Sequence, residues 1–170
     1  MASRSTRATA PRCTLNAFVS MGLVRFIAAV FSPFSKRFSR SDNTAHALGR
    51  RGEKLAARYL RKNRRKVLYR NYRAPRGGEV DLVCRDLQSG ELVFTEVKTR
   101  TTRDYGAPSH AVDAEKRQLI ARGAVAWLRL LDWPDVRYRF DIVEVIVPER
   151  GAPEITIIEN AFPLPEPYRL

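Results

Sequence analysis

Cysteine is scarce in this chain. Cys13 and Cys84 are the only two among 170 residues, which is no disulfide framework and has no metal-ligand spacing. A reducing compartment, the cytoplasm, fits that usage best. Histidine is as rare: His46 and His110 lie far apart with no motif around either, so a His-based mechanism or a zinc site has no candidate constellation. The chain has no Gly-rich phosphate loop, no Gly-x-Ser-x-Gly and no dinucleotide fingerprint, which leaves an organic cofactor without a binding motif. A long apolar run is also lacking, because Arg25 interrupts the one N-terminal candidate and argues against a membrane span. What remains for chemistry is carboxylate and lysine.

Acid is missing from one end. Residues 1–40 hold seven basic and no acidic side chains, and the remainder sets 24 Lys plus Arg against 18 Asp plus Glu. The formal charge of +13 therefore overstates a moderately basic body, yet it still points to a polyanionic partner. Residues 1–12 read as disordered. From Leu15 to Phe31 apolar residues recur at helical spacing, compatible with a targeting segment, a helix lying on a membrane surface, or a tail preceding a true start at Met21. We expect residues 1–41 to form a disordered or separately helical extension, 42–160 one α/β domain, and the proline-containing 161–170 an extended tail.

The body is organised around residues 77–100, GGEVDLVCRDLQSGELVFTEVKTR. Two apolar-rich segments, 79–85 and 91–98, flank the turn signal Gln88-Ser89-Gly90 and predict a β-hairpin. Alternation puts Glu79, Asp81 and Val83 on one face of the first strand and Leu92, Phe94, Glu96 and Lys98 on one face of the second. Residues two apart lie roughly 6.7 Å apart along a strand, so Glu96 and Lys98 can address one small object. A solvated Glu-Lys pair on a wet strand would look similar. The flanking residues, however, are too apolar for an exposed edge, and buried carboxylates need a counterion.

Upstream, a helix is predicted over 45–62, with Leu48, Leu55, Tyr59 and Leu60 at helical intervals and Glu53 beside small residues. The basic run Arg58, Arg61, Lys62, Arg64, Arg65 and Lys66 follows, interleaved with Tyr69 and Tyr72 just beyond; it reads either as a solvated face or as the lining of a phosphate-tracking groove. A strand is expected over 67–73, a loop over 101–110, a second helix over 112–131, and strands over 138–147 and 155–158. Trp127 belongs to the apolar stripe of the second helix, and Cys84 reads as a small buried residue.

The strings Gly78-Glu79-Val80-Asp81-Leu82-Val83 and Val93-Phe94-Thr95-Glu96-Val97-Lys98-Thr99-Arg100 resemble the YraN family of small bacterial proteins. That family is itself similar to PD-(D/E)xK nucleases close to archaeal Holliday junction resolvases. The resemblance extends to Gly52–Leu60, Tyr105–Pro108, Lys116 and Arg139–Val143, covering about residues 49–147. The superfamily's proline before Asp is Val80 here, a position that is no ligand. The resemblance implies a restriction-endonuclease-like core, order αβββαβ, with a central mixed sheet flanked by helices.

It also implies catalytic roles for Glu53, Asp81, Glu96 and Lys98 in metal-dependent phosphodiester hydrolysis on DNA. Asp81 and Glu96 would hold Mg²⁺ or Mn²⁺, as hard oxygen ligands suit. Lys98 would position the attacking water or stabilise the oxyanion. Arg58, Arg64, Arg65, Lys66, Arg100, Lys116 and Gln118 would contact nucleic acid, Lys116 more directly than Gln118. The alternative is a nucleic-acid-binding protein that keeps the fold without turnover. Cutting both strands of a symmetric junction would favour a homodimer.

Overall fold

A computed structural model describes residues 43–102, 112–166 and 168. Expectations about the N-terminal extension and most of the 101–110 loop fall outside these residues. Seven elements follow in order: α1 (Asn43–Lys62), β1 (Arg65–Arg73), β2 (Glu79–Asp86), β3 (Leu92–Arg100), α2 (Ala114–Leu130), β4 (Tyr138–Ile146) and β5 (Glu154–Ile158). The strands form one sheet in the order β1-β2-β3-β4-β5. Only β3 and β4 pair in parallel; the other neighbours are antiparallel. Among the described residues the fold is α/β, a mixed sheet with two helices, as the element pattern predicts.

Parallel neighbours need a crossover, and α2 supplies it. Asp113 caps that helix, its carboxylate accepting from the Lys116 amide at 2.8 Å; such a cap satisfies one of the orphan amides of a helix start. The β2–β3 turn is held by a carboxylate too: Asp86 accepts from the Gln88 and Ser89 amides. Gly90 there adopts φ +75°, a conformation that glycine takes at no steric cost.

The two faces of the sheet are distinct. Ala56, Ala57 and Leu60 of α1 pack with Leu82, Cys84, Val93, Val143 and Val145. The alanines and Gly52 bring α1 close; a Cβ at Gly52 would collide with Thr99 of β3. Residues of opposite parity face α2. Phe94, Phe140 and Phe162 form an aromatic line on which the Arg117 guanidinium of α2 sits, 5.5 Å from the Phe162 centroid. Trp127, buried, meets Tyr69 and Tyr72 at 5.4 and 5.1 Å. Cys84 is buried as expected, and burial pushes its thiol up to about 12, an inert environment for a thiol.

Two findings revise the expected boundaries. The C-terminal segment is not merely a tail: Phe162 is buried against Phe140 with centroids 4.9 Å apart, and the Ala161 amide donates to the Phe140 carbonyl. The domain therefore reaches at least Phe162. Strand β1 also begins two residues earlier than its apolar pattern suggests, and this carries Arg65 into the sheet. No helix among the described residues is long and apolar enough to cross a membrane.

Candidate active site

The hairpin that the charge pattern singles out opens at one end. Its pairing runs from Arg85 opposite Leu92 to Leu82 opposite Thr95, and there the ladder gives way to a side chain. The Val97 amide donates to Asp81 Oδ2 at 2.8 Å. Asp81 thus takes the place of a strand carbonyl, which satisfies an amide that would otherwise lack a partner. Continuing the register sets Asp81 level with Glu96, on the α2 side of the sheet.

Glu96 is 3% exposed. Its Oε1 lies 3.1 Å from Lys98 Nζ and 3.3 Å from Lys116 Nζ, whereas Oε2 is buried with no hydrogen-bond partner among the described residues. Burial first, and the Asp81 charge second, push the Glu96 carboxyl up to about 7 against the pull of the two lysines. A buried carboxylate oxygen without a partner is costly. It is also what an oxygen-ligand cation would satisfy.

Lys116 projects from the first turn of α2 and ion-pairs with Glu79 as well as Glu96. Burial works to lower its pKa, but the Glu96 and Glu79 carboxylates outweigh burial and raise it. Burial likewise acts to raise Glu79, and Lys116 and Arg73 overcome it, leaving that carboxyl below its ordinary value. Sequence pattern alone does not single out Glu79 as a site residue. The signal is present, since Glu79 sits two residues before Asp81 on the same strand face.

The structure therefore brings together Asp81, Glu96, Lys98 and Lys116, with Glu79 added. Glu53 stands apart, on α1. Its partner is Asn71, whose side-chain amide donates to Glu53 Oε2 at 2.9 Å. Asn71 lies between Arg70, paired with Leu82, and Tyr72, paired with Val80. Glu53 is thus tied to the strand position opposite Asp81, one strand removed from the cluster.

The residues expected to meet nucleic acid are spread out. Arg58, Arg64 and Lys66 are exposed, on α1, the turn after it and β1. Gln118 is exposed on α2. Arg100 is half-buried, 3.5 Å from Glu144. Arg65 does not fit a phosphate-directed role: it is 5% exposed and its guanidinium is shared among Asp86, Asp141 and Glu159. The basic run conceals it because its acidic partners come from distant parts of the chain.

Among the described residues, no group of three or more His, Cys, Asp or Glu side chains could hold a metal ion. Mg²⁺ needs no such cage, since it keeps several waters and binds through one or two carboxylates plus substrate phosphate. Asp81 and Glu96, with Oε2 of Glu96 unpartnered, fit that mode.

A family model described as "Uncharacterised protein family UPF0102" matches residues 52–145. The chain belongs to this family. It is the family that the Gly78–Val83 and Val93–Arg100 motifs resemble. A UPF0102 protein of Geobacter sulfurreducens is 48% identical over 117 residues, 69% of this chain and 89% of the relative. One of Trichlorobacter lovleyi is 43% identical over 118 residues, 69% and 91% of the two chains, and one of Nocardia farcinica 43% over 116, 68% and 89%. The UPF0102 match spans every candidate site residue, from Glu53 through Lys116 to Gln118. Strand β5 and Phe162 lie beyond it.

Proposed function

We propose that this UPF0102 protein is a metal-dependent nuclease that hydrolyses phosphodiester bonds of DNA at the Asp81–Glu96–Lys98 cluster. The observation that carries this reading is Glu96: a buried carboxylate with one oxygen on two ammonium groups and the other unpartnered among the described residues, beside a second carboxylate. A charge in such a place is costly, and groups with perturbed pKa values cluster at functional sites. Asp81 and Glu96 would hold Mg²⁺ or Mn²⁺. When bound, the cation supplies Lewis acidity for the attacking water and the phosphate.

Lys98 sits 3.1 Å from Glu96 Oε1, close enough to hold a water by hydrogen bonding or to offset charge growing on a phosphate oxygen. Glu53, tied to Asn71, supports the neighbouring strand and could orient an ordered water there. The exposed cations Arg58, Arg61, Arg64 and Lys66 suit the phosphate backbone, which attracts Lys and Arg independently of sequence.

A panel of branched, duplex and single-stranded DNA, with RNA beside it, incubated with Mg²⁺, Mn²⁺ or chelator, tests the proposal. Cleavage that needs the divalent ion and is lost in Glu96→Gln supports it. One observation favours a second reading, a nucleic-acid binder without turnover: Lys98 and Lys116 already compensate the Glu96 charge. Metal-independent DNA binding, with no cleavage of any substrate in the panel, would select that reading.

A further inference from the structure

Two ammonium groups converge on one oxygen of Glu96, and Lys116 has a second carboxylate to rest on. Lys98 belongs to the same strand, two residues on. Lys116 comes from another element and has a second partner, Glu79. We propose that Glu79 is a positioning residue for Lys116, an anchor just outside the metal site that draws the ammonium off Glu96 when a divalent cation arrives and keeps it beside the reacting phosphate. This inference rests on the metal site proposed above.

The placement of Glu79 is specific. The face of α2 that carries Lys116 presents Gly123 two turns later, and a Cβ at Gly123 would come within 3.0 Å of the Glu79 amide nitrogen. The backbone at Glu79 is therefore seated directly on the helix that bears its partner. Arg73 also ion-pairs with Glu79, so this carboxylate has a second cation beside it. The backbone of Lys116 is fixed as well, through its amide bond to the Asp113 cap. Between two fixed backbones, the flexible lysine stem is the part that can shift.

The direction of the shift follows from charge. Without metal, Lys116 is shared between Glu79 and Glu96, and a cation approaching Glu96 is opposed by two nearby positive charges. Like charges so close repel strongly at a poorly hydrated site. Resting on Glu79 alone, Lys116 retreats from the ligand oxygen yet remains within a side-chain length of the cation. From there its ammonium can donate to a phosphate oxygen as a charge-assisted hydrogen bond. Glu79 would thus set metal affinity through Lys116, without being a ligand.

That indirect action distinguishes the proposal from simple attraction between Glu79 and the cation. Mn²⁺ binding to the full chain, without nucleic acid, is measured by calorimetry and by the paramagnetic signal of the free ion. Lys116→Gln is expected to tighten Mn²⁺ binding about tenfold, and Glu79→Gln to weaken it several-fold, as removing charged neighbours of a site shifts affinity by amounts of this order. In the Lys116→Gln background, Glu79→Gln should leave the affinity within about twofold, the mark of coupling through one group. Lys116→Arg should return the affinity to near the wild-type value. If Glu79→Gln weakens binding equally with and without Lys116, the positioning role is overturned while the metal site stands. Should neither the wild type nor Lys116→Gln bind Mn²⁺, the metal site itself is refuted and the positioning role with it. Thermal unfolding of each variant shows whether it is folded; if Glu79→Gln is not, Glu79→Asp replaces it in the same cycle, with the same outcomes.

Discussion

Gly78 and Gly123 meet backbone to backbone: a Cβ on Gly78 would lie 2.6 Å from the Gly123 amide nitrogen, and one on Gly123 would lie 2.9 Å from Val80 Cγ2. This contact seats the start of β2 on α2, and so fixes the distance from Glu79 and Asp81 to Lys116. Gly123→Ala should lower stability by about 1 to 3 kcal/mol, the usual range for overpacking, because backbone atoms are among those that must yield. Gly49→Ala is the contrast. It lies in α1 with nothing within 4 Å of a new Cβ, and should stabilise by up to ~1 kcal/mol through helix propensity. Calorimetric melting of the two variants checks both signs.

Stability of the metal-free protein should fall as pH rises through the weakly acidic range. Glu96 titrates near 4.5 when unfolded and about 7 when folded, so between those values the folded state holds the proton more firmly. Protonated Glu96 favours folding fully below about pH 4.5, and that contribution is lost by about pH 7. It is on the order of 3 kcal/mol at most. Asp141, raised by its own burial, acts in the same direction. Glu79, lowered, acts oppositely and only at more acidic pH. Urea midpoints from pH 5 to 8 should decline in the wild type and decline less in Glu96→Gln. An equal decline in both would contradict the assignment.

Asp81→Asn keeps an oxygen for the Val97 amide while removing the charge that faces Glu96. Without metal, the change should be neutral or slightly stabilising, by up to ~1 kcal/mol, because like-charge repulsion is relieved. It should also abolish thermal stabilisation by Mg²⁺ or Mn²⁺, since linkage requires the ion to bind the native state. Lys98→Ala should differ: divalent ions still raise the melting temperature, yet cleavage disappears. Divalent-dependent cleavage by Asp81→Asn at wild-type rates would exclude Asp81 as a ligand.

Charge reversal at Arg61 and Arg64, both exposed, should weaken binding to all DNA sequences alike. The salt dependence should flatten by about one unit for each phosphate that is no longer neutralised. Arg65→Ala should behave otherwise. Its neighbours Asp86 and Asp141 are buried and keep Arg139 as a hydrogen-bonded partner, so losing one of their two counter-charges should cost about 1 to 3 kcal/mol of stability. Filter binding over a range of salt, paired with denaturant melts, separates the two classes.

Much of this architecture is legible in the sequence because it is written in short-range pattern. The alternation around Asp81 and the Glu96-x-Lys98 spacing place three site residues on one side of a hairpin, and the stripe through Trp127 identifies the buried side of α2. Lys116 is legible through the resemblance. Long-range pairing is less visible. The basic run gives no sign that Arg65 turns inward, because Asp141 and Glu159 reach it only after β4 and β5 are in place. Phe162 stands next to prolines that suggest a tail, and its place in the core depends on Phe140. Glu79 is within view but lacks a partner until α2 brings Lys116 to it.

Among the described residues β1 lies at one edge of the sheet, a position where unpaired backbone groups invite an incoming strand. This edge is poorly suited to receive one. Its pairing with β2 is irregular between Val67 and Tyr69, Asn71 turns to a positive φ of 53°, and Lys66, Arg70 and Arg73 stand exposed along it. A second copy approaching in either direction would meet a bent backbone and its own repelling cations. The arrangement guards against edge-to-edge pairing of two copies through the β1 backbone.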